Sequence, residues 1–113
     1  MKVVNRSNTE SYPWGEGATG WHLLNSDQLS VIEELVPPGI SERRHYHKVA
    51  QQFFYVLAGT ATLEVAGNVY SITAGSGMHV PAQLAHQLTN NEDCELRFLV
   101  VSQPKSHDDR ELL

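Results

Sequence analysis

Apolar residues of this chain recur at every second position in several short segments, a spacing typical of β-strands with one buried face. Thr60 to Val65 alternates small or apolar residues with polar ones. The turn residues Gly67-Asn68 follow, and then the segment Val69 to Ile72. Two such segments on either side of a glycine-containing turn predict a β-hairpin.

Three further apolar segments predict strands that are bounded by polar residues, glycine or proline. No segment of a dozen residues shows the 3.6-residue period of an amphipathic helix. Many short strands at short intervals predict an all-β sandwich or barrel. The three segments are Leu29–Val36, stopped by Pro37-Pro38-Gly39; Gln52–Leu57, which ends before Gly59; and Cys94–Val101, with Leu96, Phe98 and Val100 on one face and Glu95 and Arg97 on the other.

The two ends of the chain lack this alternation. Residues 1–20, rich in Ser, Asn, Gly and Glu, predict an irregular N-terminal arm, and Trp14 and Trp21 are interpreted as packing residues. Residues 103–113 predict a polar C-terminal tail in which His107 is solvated. With 113 residues, the chain is expected to form a single domain spanning residues 1–113.

Composition and charge exclude several classes of protein. The apolar run Phe53–Ala58 is far shorter than the roughly 20 residues of a membrane span, and the first residues contain no apolar stretch typical of a signal peptide. A soluble cytoplasmic protein is expected, and the single cysteine suits a reducing compartment. The formal net charge of −5, with no basic run beyond Arg43-Arg44, argues against a nucleic-acid partner.

The chemistry of the chain is concentrated in its six histidines. His45 and His47 lie two residues apart, so on a strand both imidazoles point to the same side and can reach one metal ion. A pair of this kind is weak evidence by itself, because two surface or core histidines give the same pattern.

The residues around this pair match two known sequence motifs. Gly39, His45, His47, Gln52 and Gly59 form the first set, at residues 39–59, and a second set at residues 75–90 follows after the predicted hairpin. In order and spacing they resemble the two signature motifs of the cupin superfamily. Gln52 stands where that family has a glutamate, and Gln83 where it often has a glycine. The second set consists of Gly75, Pro81, His86 and Asn90.

The resemblance implies a double-stranded β-helix, or jelly-roll barrel, with a metal inside. By residue-by-residue transfer, His45, His47 and His86 are the expected ligands and Gln52 the fourth, either direct or through a bound water. The metal would be one divalent transition ion, Fe, Mn, Ni, Cu or Zn, because neutral nitrogen and oxygen donors with open positions suit all five. Glutamine leaves the site the full charge of the divalent ion, which favours an anionic ligand.

A substrate pocket is predicted around this metal. If the strand of His45 extends backwards, Arg43 lies on the ligand face and can clamp a carboxylate. Phe54, Val56 and Phe98 are expected as apolar walls. One of the adjacent residues Glu33 and Glu34 must face inwards, and alternation alone leaves the choice open.

Three functions are consistent with these residues. The first hypothesis is a metal-dependent dioxygenase that acts on a small enolisable or phenolic anion, since three-histidine sites occur among cupin dioxygenases. The alternatives are an isomerase or decarboxylase of a sugar or small acid, which would need Glu33 or Glu34, and a non-catalytic small-molecule-binding cupin. The resemblance also implies a homodimer through edge strands, and neither a nucleic acid nor a membrane is an expected partner.

Overall fold

The computed structural model describes residues 1–113, which form eleven β-strands and no helix. The predicted all-β class is therefore confirmed, and the structure contains no helix that could span a membrane. The strands are β1 (Ser11–Trp14), β2 (Ala18–Asn25), β3 (Ser30–Val36), β4 (His45–His47), β5 (Gln51–Ala58), β6 (Thr60–Val65), β7 (Asn68–Thr73), β8 (Gly77–Val80), β9 (His86–Thr89), β10 (Leu96–Gln103) and β11 (Arg110–Leu112).

The strands form two antiparallel sheets, a six-stranded sheet in the order β1-β2-β3-β10-β5-β8 and a five-stranded sheet in the order β11-β4-β9-β6-β7. Several neighbouring strands, such as β3 and β10 or β4 and β9, are distant in sequence, as in the predicted jelly roll. Alternate residues of the strands face inwards and make one apolar cluster of 13 buried residues. On β10, for example, Leu96, Phe98 and Val100 are buried, as predicted.

The predicted hairpin is present as β6 and β7, with its turn one residue earlier than expected. Ala66 and Gly67 occupy the turn with φ of 50° and 89°, and Asn68 already pairs with Val65 as the first residue of β7. Two consecutive positive φ values match the turn type that joins tightly twisted antiparallel strands.

The prediction of an irregular arm over residues 1–20 is wrong, because β1 and the first part of β2 lie there. The two strands pair directly, with Tyr12 opposite Gly20. The Tyr12 ring lies over Gly20, where any Cβ would collide with it. Glycine therefore makes this pairing possible, although it weakens the alternation that sequence reasoning detects.

The polar segment 103–113 is not a free tail either. Its last residues form β11, which pairs with β4 and places Arg110 opposite His47. This strand of three residues is too short to produce a recognisable alternation. Both ends of the chain therefore pack around the part of the fold that carries the histidine pair.

Candidate metal centre

Three histidines from the neighbouring strands β4 and β9 of the five-stranded sheet meet inside the molecule. His45 and His47 point the same way from β4, and His86, the first residue of β9, is the direct register partner of His45. One ring nitrogen of each lies within 4.8 Å of the others. Their residues are 4%, 4% and 1% exposed, so all three imidazoles are removed from water.

Backbone carbonyls orient two of these rings. His45 Nδ1–H donates to Arg43 O at 2.8 Å, and His86 Nδ1–H donates to Leu84 O at 2.9 Å. A proton on Nδ1 leaves the lone pair on Nε2, the arrangement that metal-binding histidines use. The residue two positions before each histidine supplies the carbonyl, so the local backbone sets the orientation of each ring.

Burial shifts all three histidines towards the neutral form. Burial lowers the pKa of His45 to about 3 and that of His47 to about 4, and it also lowers the pKa of His86. Desolvation disfavours the imidazolium, and the Arg110 charge acts in the same direction at each of them. Neutral imidazoles are ready to bind a metal without first losing a proton.

Gln52, from the neighbouring sheet, lines the same cavity as His45 and His47. Its side chain is buried, and its Nε2 donates to Ser102 Oγ at 3.0 Å and to Ser106 Oγ at 3.4 Å. The two serines therefore hold the NH2 group of the Gln52 amide, while its Oε1 has no hydrogen-bond partner. The neighbouring Gln51 faces outwards, where it binds His79 and Gln103.

Unpartnered buried atoms show that these residues fit a metal ion. His47 Nε2, His86 Nε2 and Gln52 Oε1 are all buried and have no partner. Buried polar atoms without partners are unfavourable, and a cation satisfies several lone pairs at once. Three imidazole nitrogens and an amide oxygen form an uncharged donor set suited to a divalent transition metal.

A cavity of about 190 Å³ lies beside the histidines. Ile32, Phe54 and Val100 give it apolar walls, while Glu34 and Arg110 bring an acidic and a basic group into it. Burial raises the pKa of Glu34 to about 7, and the positive charge of Arg110 acts against that rise.

A second carboxyl lies close to this cavity. Glu42 Oε1 is 4.0 Å from His45 Nδ1, and its other oxygen accepts a hydrogen bond from the Leu88 amide at 2.8 Å. Burial, followed by the negative charge of Glu34, raises its pKa to about 8. The site therefore combines neutral metal donors with two carboxyls that hold their protons at higher pH than usual.

The structure shows which of Glu33 and Glu34 faces inwards. Glu34 lines the cavity, whereas Glu33 turns to the outer face and pairs with Arg6 and Arg97 at 3.4 and 3.3 Å. The two residues alternate on β3 as expected, but only the pairing of β3 with its neighbours determines which face is inside.

The other residues predicted to line the pocket lie in three different environments. Phe54 lines the cavity, while Val56 and Phe98 are buried in the apolar cluster below it. Arg43 is exposed and is absent from the cavity lining, because β4 begins only at His45 and the alternation does not extend back to it.

Sequence reasoning missed the cavity residues that come from the two chain ends. Tyr12 and Trp14 arrive on β1, and His107 and Arg110 arrive from the C-terminal segment. His107 is exposed, as expected, yet its ring lies 5.2 Å from that of Tyr12. In the C-terminal segment the sequence offers only a histidine and an arginine among polar residues, His107 and Arg110. These residue types do not indicate where the segment packs.

Comparison with known families supports the resemblance to the signature motifs. A family model described as Cupin domain matches residues 32–102. A mannose-1-phosphate guanylyltransferase of Salmonella montevideo is 32% identical over an alignment of 108 residues that covers 89% of this chain and 22% of that protein. This chain spans between 22% and 47% of the length of the curated relatives that it matches.

Solved structures share the same architecture. KdgF from a Halomonas species superposes with a TM-score of 0.85 at 16% identity, covering 96% of this chain and 97% of that one. The polyketide cyclase RemF from Streptomyces resistomycificus superposes with a TM-score of 0.83 at 23% identity, covering 100% and 85%. At these identities the similarity establishes the fold alone.

Proposed function

The chain belongs to the cupin family, and we propose that it is an enzyme that binds one divalent transition metal through His45, His47, His86 and Gln52. The observation that carries this proposal is the cluster of three buried histidines, with unpartnered buried atoms on His47, His86 and Gln52. A structural metal site closes its coordination shell with firm ligands, whereas this one opens onto a cavity. The open side supports a site that meets a small molecule.

The expected substrate is a small organic anion. No donor of the metal centre carries a charge, so the bound ion keeps its full positive charge, and Arg110 adds a second positive charge at the cavity. A guanidinium binds a carboxylate through two parallel hydrogen bonds. A cavity of about 190 Å³ limits the ligand to a small molecule or to one end of a larger one.

Proton transfer is the reaction that this geometry supports best. A bound metal would supply a Lewis acid that polarises a carbonyl or carboxylate oxygen of the substrate. Glu34, on the cavity wall, would take a proton from the adjacent carbon and return it, which shifts a double bond or inverts a centre. A base on the wall was the feature that the isomerase or decarboxylase hypothesis required.

A dioxygenase is the second candidate. It is favoured by the donor set, which contains no carboxylate, and by the apolar walls that Ile32, Phe54 and Val100 give the cavity. This function would need oxygen as a co-substrate and no proton transfer through Glu34.

One experiment separates these functions. Protein loaded separately with Fe(II), Mn(II) or Zn(II) is incubated in D2O with a panel of small enolisable carboxylates and phenols, under an oxygen electrode. Deuterium incorporation detected by NMR, lost in Glu34→Gln and kept in Glu33→Gln, supports proton transfer. Oxygen uptake without exchange supports the dioxygenase, and saturable binding without either supports a non-catalytic cupin.

We also propose a homodimer. The outer face of the six-stranded sheet exposes Phe53 and Tyr55, at 42% and 38%. The edge strands β1 and β8 leave backbone groups free to pair with a second copy. Sedimentation equilibrium would test this assembly, and a monomer at micromolar concentration would contradict it.

A further inference from the structure

The loop that joins two of the proposed ligands is held by a residue outside both sequence motifs. Residues 48–50 connect His47, at the end of β4, to the start of β5, which carries Gln52. The Asp109 carboxylate accepts hydrogen bonds from all three loop amides, at 3.2 Å from Lys48 and at 2.8 Å from both Val49 and Ala50.

The hydrogen bonds between the Asp109 carboxylate and the loop amides are of a strong type. Hydrogen bonds from backbone amides to a carboxylate are shorter and stronger than those between neutral groups. Three of them from consecutive residues determine the path of the loop, which lies outside the regular strands. The loop path sets the spacing between the ends of β4 and β5, and hence between His47 and Gln52.

A second contact reaches Gln52 from the same segment. Ser106 is 7% exposed, and its Oγ accepts from Gln52 Nε2 at 3.4 Å and from Ser102 Oγ at 3.1 Å. The hydroxyls of Ser102 and Ser106 therefore both lie at the NH2 group of the Gln52 amide. A half-turn of that amide would bring its N–H groups towards the histidines, and an N–H donor cannot bind a metal.

We propose that the segment from Ser106 to Asp109 is a positioning element of the metal centre. Ser106 sets which end of the Gln52 amide faces the histidines, and Asp109 holds the loop between His47 and Gln52. The inference rests on the metal binding proposed above, and it assigns a role to a segment that neither motif contains. Groups that orient metal ligands strengthen metal binding although they do not touch the ion.

The test measures metal affinity rather than activity. Metal-free protein is titrated with Co(II), and binding is followed by calorimetry and by the visible absorption of the bound ion. Asp109→Asn and Ser106→Ala are each expected to weaken binding by roughly 10–100-fold and to change the Co(II) spectrum. Asp108→Asn is the matched control, since the Asp108 side chain is 87% exposed and its only ion pair, with Lys105, spans 3.9 Å.

The outcomes separate this inference from the proposed function. If the wild type binds no Co(II), or binds it no better than His86→Ala does, the metal proposal and this inference both fail. If only His86→Ala loses the metal, while Asp109→Asn and Ser106→Ala keep the wild-type affinity and spectrum, the positioning role alone is overturned. A stability loss in metal-free Asp109→Asn with unchanged affinity and spectrum also overturns it. Should Asp109→Asn fail to fold, Ser106→Ala decides the result.

Discussion

His45 and His86 are direct partners across β4 and β9, with ring centroids 4.4 Å apart, although the four strands β5 to β8 separate them in the sequence. The five-stranded sheet therefore builds the centre of the site through its register. A slip of one residue would turn the His86 ring to the opposite face if it occurred in β9, and both His45 and His47 if it occurred in β4. Donors on strands are held more precisely than donors on loops, which suits a metal site that exists before the metal binds.

The first prediction concerns metal content. Wild-type protein is expected to hold close to one equivalent of a divalent transition metal, and His86→Ala is expected to lose it, because two remaining imidazoles and an amide oxygen form too weak a set. Elemental analysis by plasma mass spectrometry measures this directly. His79→Ala is the matched control, since His79 faces outwards and binds Gln51. Equal metal content in the His86 and His79 variants would contradict the proposed ligand set.

The second prediction concerns the charge of the donor set. Gln52→Glu places a carboxylate at the metal, so cation binding is expected to tighten and binding of an anion such as azide to weaken by about tenfold, or ~1.4 kcal/mol. Azide titration of the Co(II)-loaded protein, followed by visible absorption, gives both values. Gln51→Glu carries the same change on the outer face and should leave azide binding unchanged. Tighter azide binding in Gln52→Glu would argue against Gln52 as a metal ligand.

The third prediction concerns proton release during metal binding. Because burial lowers the pKa values of His45 and His47 to about 3 and about 4, those two rings carry almost no protons at pH 6, and burial also lowers the pKa of His86. Three histidines at the ordinary pKa would release about two protons at that pH. Calorimetry in buffers of different ionisation enthalpy counts the released protons. We expect a number clearly below two, and release of two would show that the metal-free site is charged.

The fourth prediction follows from the raised pKa of Glu34. Its pKa of about 7 in the folded chain exceeds the ordinary value of 4.5. The folded state therefore binds more protons than the unfolded state between these values, and the contribution of Glu34 to stability falls as pH rises through that range. At high pH the loss approaches ~3 kcal/mol.

Urea unfolding of metal-free protein at pH 5 and pH 8 tests this sign. The free energy of unfolding of wild type minus that of Glu34→Gln is expected to be larger at pH 5 than at pH 8. Glu16→Gln, at an exposed position, controls for loss of a carboxyl as such. A difference that rises with pH would mean that Glu34 is stabilised as a carboxylate in the folded state.

Much of the fold could be read from the chain itself. A strand buried on one face needs apolar residues at every second position, and β3, β5, β6 and β10 satisfy that rule closely enough to be located within two residues. The same period explains why His45 and His47 share a face. The resemblance to the two cupin motifs implied that His86 and Gln52 would join these two histidines.

The composition of the cavity depended on tertiary structure. Glu33 and Glu34 alternate equally well on either face, and only the pairing of β3 with β2 and β10 turns Glu34 inwards. Tyr12 and Arg110 come from opposite ends of the chain, on strands of four and three residues. Such short strands are stabilised by the sheets that they join rather than by their own pattern. The sequence by itself therefore determined the fold and the expected metal donors. Tertiary packing decided which residues surround those donors.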